Sequence, residues 1–231
     1  MWPGAAAPII PTVRVVRGRD LAEVSEAEVA ALAAAHEGLT VDVGTGDGRL
    51  AYACARRHPR RLVVGMDPAR DQMRETSWRA LRKPSRGGLP NVLFVWAGVE
   101  APPAELKGRA DRVAVILPWG RLMVGLTLAL PDVLEGLRAL AAPGARFDLV
   151  LGADVWQDPV PADLRDLPEV TVDYVESVLV PAYERHGLRI VESRMLAREE
   201  IAGLATTWAR RLAHGREEPR FVYVRAVAAP S

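Results

Sequence analysis

One stretch of the chain, residues 41–67, constrains the fold more than any other: VDVGTGDGRLAYACARRHPRRLVVGMD. A short apolar run leads into glycines at alternate positions, Gly44, Gly46 and Gly48. A helical pattern follows, and a second apolar run ends at Asp67. This order is typical of a strand, a tight turn, a helix and a parallel strand. Because glycines lack side chains, a ligand can lie directly against the backbone of such a turn. The stretch therefore predicts a βαβ unit with a ligand-binding turn.

The alternation of apolar runs and helical patterns continues along the chain. Strands are predicted at 39–43, 62–66, 92–97, 112–117, 146–151, 188–196 and 220–227, and helices at about 48–58, 70–82, 131–141, 170–186 and 198–213. The run 112–117 is apolar on consecutive residues, as expected for a central strand that is covered on both faces. The last two runs alternate better, which predicts a more exposed edge. The pattern predicts a doubly wound α/β sheet in a single domain spanning 1–231.

An N-terminal extension, residues 1–38, precedes the core at 39–231. Residues 12–24 are expected to form a small β-hairpin that turns at 17–20. A helix should follow, with Ser25 as its N-cap, Glu28 completing a capping box and Gly38 after its end. Only 82–91 and 157–169 have the composition of linkers.

Composition excludes several classes of protein. The 231 residues carry a formal net charge of +1, and 49% of them are hydrophobic, which excludes wholesale disorder. The one cysteine, Cys54, excludes an internal disulfide framework and a cysteine-based zinc site. The histidines are scattered, so no metal site is expected. No apolar run is long enough to span a membrane and the N-terminus lacks the pattern of a signal peptide, so a soluble cytoplasmic protein is expected.

The spacing of the glycines separates two classes of nucleotide-binding turn. Dinucleotide-binding turns read G-x-G-x-x-G, whereas this turn reads G-x-G-x-G and is preceded by Asp42. The pattern resembles motif I of the Rossmann-like class I S-adenosylmethionine-dependent methyltransferases. That resemblance implies a seven-stranded, mostly parallel sheet with an antiparallel last strand. Asp42 would favour the cationic methionine end of the cofactor, directly or through water, and Asp67 would accept both ribose hydroxyls. The adenine would lie near residues 97–100.

The absence of certain motifs narrows the choice of the atom that would accept the methyl group. Methylation of a pyrimidine C5 requires a cysteine adduct, but Cys54 falls inside the predicted helix after the glycine turn. Exocyclic-amine methyltransferases usually carry an Asp/Asn-Pro-Pro-aromatic tetrad, and the corresponding residues here, 116–120, read ILPWG. Elimination leaves a ring nitrogen with a free lone pair, such as adenine N1, which needs no base. Trp119 and Trp208 are candidates for holding a flipped base between two indole faces.

Five segments carry a more specific resemblance: DVGTGDGRL, RLVVGMDPAR, KPSRGGLPNVLFVWAGVE, LPWG and TTWARRL. In this order and spacing they resemble the aminoglycoside-resistance 16S rRNA (adenine-1408-N1) methyltransferases, the kanamycin–apramycin resistance group of antibiotic producers. The similarity covers roughly residues 12–227, and LPWG with TTWARRL is its most specific part. It implies methylation of N1 of one adenine in the decoding site of the assembled 30S subunit. We expect a monomer with no obligate protein partner and no membrane association.

The resemblance also assigns roles to positions of this chain. Cofactor contacts are implied at the glycine turn and at the ends of the neighbouring strands: Asp42, Gly44, Thr45, Gly46, Asp67, Ala97, Gly98, Glu100 and Leu117. Thr206 would help to order the cofactor pocket. In the catalytic site, Trp119 and Trp208 would sandwich the target adenine, and Pro118 would shape the wall beside it. Arg211 and Arg216, with Arg210 beside them, would hold the RNA backbone near the target.

A chain with a net charge of +1 must concentrate its positive charge to bind rRNA. One predicted helix and the loop after it carry the candidate RNA-binding residues Arg74, Arg79, Arg82, Lys83 and Arg86. The predicted hairpin adds Arg14, Arg17 and Arg19. Two other functions fit the cofactor motif: a small-molecule methyltransferase of an antibiotic pathway, and a non-enzymatic RNA- or ribosome-binding module. An intact cofactor turn that keeps both Asp42 and Asp67 argues against the non-enzymatic binding module.

Overall fold

A computed structural model describes residues 12–153, 162–204 and 220–230, which build one nine-stranded sheet and the helices packed on it. The strands are β1 (Thr12–Arg17), β2 (Asp20–Ser25), β3 (Leu39–Val43), β4 (Leu62–Asp67), β5 (Val92–Trp96), β6 (Ala110–Ile116), β7 (Ala141–Gly152), β8 (Leu188–Met195) and β9 (Phe221–Ala228). The helices are α1 (Glu26–Ala34), α2 (Arg49–Arg57), α3 (Arg74–Ala80), α4 (Gly120–Thr127), α5 (Pro131–Leu140), α6 (Ala162–Arg165), α7 (Val172–Tyr174), α8 (Val180–Glu184) and α9 (Arg198–Ala202). A 3₁₀ turn, Arg70–Met73, leads into α3, and a π-helical segment, Val175–Leu179, joins α7 to α8.

The strand order is β2-β1-β5-β4-β3-β6-β7-β9-β8. Strands β3 to β7 pair in parallel, and β9 runs antiparallel to both of its neighbours, β7 and β8. The predicted mostly parallel sheet with an antiparallel last strand is confirmed. The expectation that both final strands lie at an exposed edge is wrong for β9, which lies between β7 and β8. Its alternation has another cause, because Tyr223 and Arg225 join a polar row with Asp148 on one face of the sheet.

The N-terminal hairpin is confirmed and becomes part of the main sheet. Strands β1 and β2 pair antiparallel, and β1 also pairs antiparallel with β5 through Val15 and Val95. The turn contains Gly18, whose φ of +65° favours glycine. Its amide donates a hydrogen bond of 2.8 Å to Ser77 Oγ of α3, which ties the turn to the core. Ser25 caps α1 with Glu28 in the predicted capping box.

The sequence pattern does not predict α4, nor the short α6, which lies within the stretch 157–169 that was expected to be a linker. Two of the eight residues of α4 are glycines, which disfavour helix in isolation. Tertiary contacts compensate at its carboxyl end, where the last carbonyl groups need partners. The hydroxyls of Tyr174 and Tyr183 donate to the carbonyl oxygens of Thr127 and Leu126, at 2.9 and 3.0 Å. Helix α4 is thus fixed by the helical segment between β7 and β8.

Helices cover both faces of the parallel part of the sheet. Alternate residues of β4 show this, because Leu62 and Val64 belong to one core cluster and Val63 belongs to another. The larger cluster includes residues of α1, α5 and the segment 172–184, and the smaller one includes residues of α2 and α3. Among the described residues, no helix combines the length and apolar character needed to cross a membrane.

Candidate active site

The chain reverses direction across the sheet between β3 and β6, since it proceeds from β3 outward to β5 and then returns to the other side of β3. Ligands of open α/β sheets bind at the carboxyl ends of the strands beside such a point. A cleft of about 560 Å³ lies there, within the usual range of ligand pockets. Its walls are Val43, Gly44, Thr45, Gly46, Asp47, Met66, Asp67, Pro68, Gln72, Ala97, Gly98, Val99, Glu100, Ile116, Leu117, Trp119, Arg121 and Leu122.

The glycine turn forms the floor of the cleft. The amides of Gly44 and Thr45 both donate to the carbonyl oxygen of Met66, at 2.9 and 3.2 Å, so the turn is attached to the end of β4. Gly44 has a φ of +71°, and a methyl group on its Cα would lie 2.6 Å from Leu122 Cδ2. A replacement would therefore strain the backbone and would push the end of the Leu122 side chain out of its present position in the cleft. The turn brings a bare backbone against the first turn of α4.

Asp67 lies at the end of β4 and is only 8% exposed. One carboxylate oxygen accepts a hydrogen bond of 2.9 Å from the Gly46 amide, and the other accepts one of 2.7 Å from the Ala69 amide. A carboxylate oxygen has capacity for a further hydrogen bond. The two oxygens are therefore held in a fixed orientation and can each still accept a donor from a ligand in the cleft.

Asp42 is not one of the residues that line the cleft. Its side chain is 3% exposed, and it accepts a hydrogen bond of 2.5 Å from Thr45 Oγ1. Burial raises the pKa of the Asp42 carboxyl to about 7, although the Thr45 hydrogen bond opposes the shift. Asp42, which was expected to act on the methionine end of the cofactor directly or through water, therefore does not line the cleft itself. Asp42 is connected to the cleft by its hydrogen bond with Thr45, which is one of the lining residues.

The segment after β5 forms a second wall, as expected for Ala97, Gly98 and Glu100. Glu100 makes an ion pair of 3.6 Å with Arg121 Nε of α4. The same guanidinium pairs with Asp132, at the start of α5. Arg121 thus connects this wall to two helices on the other side of the cleft.

The third wall follows β6. Leu117 lines the cleft with a φ of +54°, in the left-handed region that non-glycine residues seldom adopt. Its amide donates to the Val150 carbonyl at 2.9 Å, which holds this backbone in place. Trp119, at the N-cap of α4, is 40% exposed and lines the cleft. Pro118 lies between them in sequence but is not part of the lining.

Sequence reasoning missed several residues of the cleft. Arg121 and Leu122 were missed because α4 itself was not predicted, and Gln72 was missed because the 3₁₀ turn before α3 was taken as regular helix. Arg121 carried a signal, since it follows the LPWG segment directly. Trp208 and Thr206 of the predicted site, and the RNA-binding candidates Arg210, Arg211 and Arg216, lie outside the described residues.

The remaining RNA-binding candidates lie on α3 and the loop after it, beside the hairpin turn. Several of their guanidinium groups stack on aromatic rings: Arg79 lies 4.7 Å from the ring centroid of Tyr52, and Arg82 lies 4.1 Å from that of Trp78. Arg74 differs, because it forms an ion pair of 2.9 Å with Asp71. The hairpin turn contacts α3 through the hydrogen bond from Gly18 to Ser77, and both elements carry arginines.

Comparisons with known proteins show which family the chain resembles. The family model described as NpmA, 16S rRNA (adenine(1408)-N(1))-methyltransferase, matches residues 14–228. A 16S rRNA (adenine(1408)-N(1))-methyltransferase of Streptoalloteichus tenebrarius is 39% identical over 205 residues, which cover 89% of this chain and 94% of the relative. One from Escherichia coli is 31% identical over 208 residues, covering 90% of this chain and 95% of the relative.

Solved structures give the same result. A point mutant of the 16S rRNA (adenine(1408)-N(1))-methyltransferase of Catenulisporales acidiphilia, in a crystal structure with the cosubstrate SAM, superposes with a TM-score of 0.87 at 41% identity. The alignment covers 94% of this chain and 97% of that one. The 16S rRNA methyltransferase KamB superposes with a TM-score of 0.86 at 38% identity, covering 94% of this chain and all of that one, 100%. The chain therefore belongs to the 16S rRNA (adenine(1408)-N(1))-methyltransferase family.

Proposed function

We propose that this protein transfers the methyl group of S-adenosylmethionine to N1 of adenine 1408 in 16S rRNA, that it does so on the assembled 30S subunit, and that it thereby confers aminoglycoside resistance. Membership of the family supports the reaction and the cofactor. The observation that carries the proposal is the cleft at the reversal point of the sheet, where Asp67, Glu100 and Trp119 occupy three separate walls. A 30S substrate is cytoplasmic, and the protein would act there as a monomer.

The residues of the cleft fit the cofactor. Asp67 offers two oriented oxygens, which suits the two hydroxyls of a ribose. Glu100 and the backbone of 97–100 would receive the adenine. Gly44 and Gly46 leave bare backbone for the methionine end, and the Asp42 carboxylate behind Thr45 would stabilise its positive charge. The cofactor supplies a methyl group on a positively charged sulfur.

The acceptor needs little chemical help. N1 of adenine carries a lone pair at neutral pH, so positioning in line with the methyl group supplies most of the rate. Among the described residues that line the cleft there is no cysteine, histidine or lysine, which suits an acceptor that requires neither a covalent adduct nor a strong base. Trp119 would stack on the extruded adenine. Trp208 would be the opposite wall, with Thr206 beside it and Pro118 supporting the first indole.

Docking on the 30S subunit would use the surface around α3. Arg74, Arg79, Arg82, Lys83 and Arg86 would contact phosphates there, together with Arg14, Arg17 and Arg19 of the hairpin. Arg210, Arg211 and Arg216 would add contacts nearer the target. Recognition would rest on the shape of folded rRNA, because the major groove of paired RNA is too narrow to be read by side chains.

Primer extension on 16S rRNA tests the proposal. The protein is incubated with S-adenosylmethionine and either 30S subunits or free 16S rRNA, and Asp67→Ala is the matched control. We expect a new stop beside adenine 1408 on 30S subunits, and none with Asp67→Ala. Modification of free rRNA alone would contradict the 30S assignment. Unmodified rRNA together with a methylated small molecule would contradict the proposed function.

A further inference from the structure

Trp78 is an exposed tryptophan outside the cleft. Its side chain is 54% exposed on α3, more than that of Trp119, at 40%. Trp96 provides a contrast, since Arg14 and Arg70 lie 4.0 and 5.1 Å from its ring centroid and its indole N–H donates to the Pro68 carbonyl at 2.9 Å. The ring and the indole N–H of Trp96 therefore both have partners within the protein, whereas Trp78 leaves more than half of its surface exposed.

The surroundings of Trp78 leave part of the ring open. The Arg82 guanidinium lies 4.1 Å from its ring centroid and covers one face. The hairpin turn approaches the base of the side chain, because a methyl group on Gly18 would lie 3.3 Å from Trp78 Cβ. More than half of the residue's surface nevertheless remains accessible to solvent. In the described part of the chain, its indole N–H has no hydrogen-bond partner.

The charge around Trp78 is positive. Arg79, Arg82, Lys83 and Arg86 follow within eight residues. For the last three, no ion pair occurs within the residues that the structure describes. The nearest acid on the same helix is Glu75, and Asp71 is already paired with Arg74. A flat aromatic face among cations has the properties of a platform for single-stranded nucleic acid, in which bases stack on aromatic rings and arginines hold the backbone.

We propose that Trp78 stacks on an unpaired nucleobase of the rRNA, distinct from the adenine that is methylated. Trp78 does not line the cleft, yet it lies fewer than two helical turns after Gln72, which does. Because Trp78 is part of α3, the platform lies within the proposed docking surface and would fix the enzyme on its substrate at a second base. This inference rests on the proposed function, because it requires that the partner is rRNA.

The test measures binding to 30S subunits in the presence of S-adenosylhomocysteine, for Trp78→Ala, Trp78→Phe and Leu81→Ala. Leu81 is a matched control, since it is also 54% exposed and lies three residues further along but has no aromatic face. Trp78→Ala should weaken binding by roughly five- to 150-fold, the range that stacking of one base spans. Trp78→Phe should recover most of the affinity, and Leu81→Ala should bind like the unmodified protein.

The salt dependence of binding to 30S subunits distinguishes a loss of base stacking from a loss of phosphate contacts. Trp78→Ala should leave the slope of log K against log salt unchanged, whereas Arg82→Ala should reduce it by about one phosphate contact. Cofactor affinity should be unchanged in every variant. Equal losses for Trp78→Ala and Leu81→Ala, no loss for Trp78→Ala, or no recovery with Trp78→Phe would overturn the inference. These outcomes require that the unmodified protein binds and methylates 30S subunits, and its failure to do so would overturn the proposed function itself.

Discussion

The hydroxyl of Thr45 donates a hydrogen bond of 2.5 Å to the carboxyl group of Asp42, which is almost completely buried beneath the glycine turn. Thr45 also lines the cleft, so the charge of Asp42 is separated from a ligand by a single side chain. We expect this arrangement to make the cleft sensitive to pH, because burial raises the pKa of Asp42 to about 7.

Asp42→Asn should change how cofactor affinity depends on pH. A cationic ligand favours the ionised carboxylate, so affinity for S-adenosylmethionine should rise as pH increases through about 7. Calorimetric titrations between pH 6 and 8 should show this rise in the unmodified protein and a nearly flat profile in Asp42→Asn. A profile that is equally steep in both proteins would contradict the role of Asp42.

The same substitution should alter the pH dependence of stability. The folded-state pKa lies above the ordinary value of 3.8, so the folded protein binds the proton more tightly than the unfolded chain. The contribution of this group to the free energy of unfolding is therefore complete below about pH 4 and is lost as pH rises through 7. Denaturant unfolding should show less loss between pH 5 and 8 in Asp42→Asn. Asp166→Asn, at an exposed carboxyl, is the control and should follow the unmodified protein.

Gly44→Ala should disrupt the cleft by two effects. The residue has a φ of +71°, and the added methyl group would lie 2.6 Å from Leu122. Gly144→Ala is a matched control, since Gly144 has a φ of +74° and no atom within 4 Å of the added carbon. The backbone penalty, about 1 kcal/mol, should be shared by both variants. Loss of cofactor affinity should be confined to Gly44→Ala, and a similar loss in both would show that the clash with α4 is unimportant.

Trp119→Ala should lower turnover and leave cofactor binding nearly unchanged. Stacking of one base contributes about 1–3 kcal/mol, so kcat/KM for 30S subunits should fall by at least about fivefold. Trp119→Phe should retain more activity than Trp119→Ala. Single-turnover methylation and cofactor titration measure the two quantities separately. An Ala variant that lost cofactor affinity in proportion to activity would speak against a role in holding the base.

Arg82→Glu combined with Lys83→Glu should weaken binding to 30S subunits and flatten its salt dependence. Arg185→Glu with Arg189→Glu introduces the same charge beside β8, at the opposite edge of the sheet from the hairpin. This control should bind almost normally. Equal weakening by both pairs would indicate a general effect of net charge and not a docking surface.

The sequence was sufficient where a local pattern determines the structure. The glycine spacing and Asp67 predicted the turn, and Ser25 with Glu28 predicted the start of α1. It was insufficient where distant residues decide. Helix α4 forms although its glycines disfavour it, because Tyr174 and Tyr183 bind its last carbonyls. The sequence left open whether Asp42 acts on the cofactor directly or through water, because whether a strand-end carboxylate faces the cleft or Thr45 depends on packing that no single stretch contains.

The pairing of β1 with β5 connects the hairpin to the strand that leads into one wall of the cleft. The hairpin that would touch the ribosome pairs through Val15 with Val95 of β5, the strand that ends immediately before Ala97 in the wall proposed for the adenine of the cofactor. A displacement of β1 on binding would therefore reach β5 directly through the pairing of the two strands. If binding of the 30S subunit strengthens binding of the cofactor, thermodynamic reciprocity requires that the cofactor strengthens binding of the 30S subunit by the same factor.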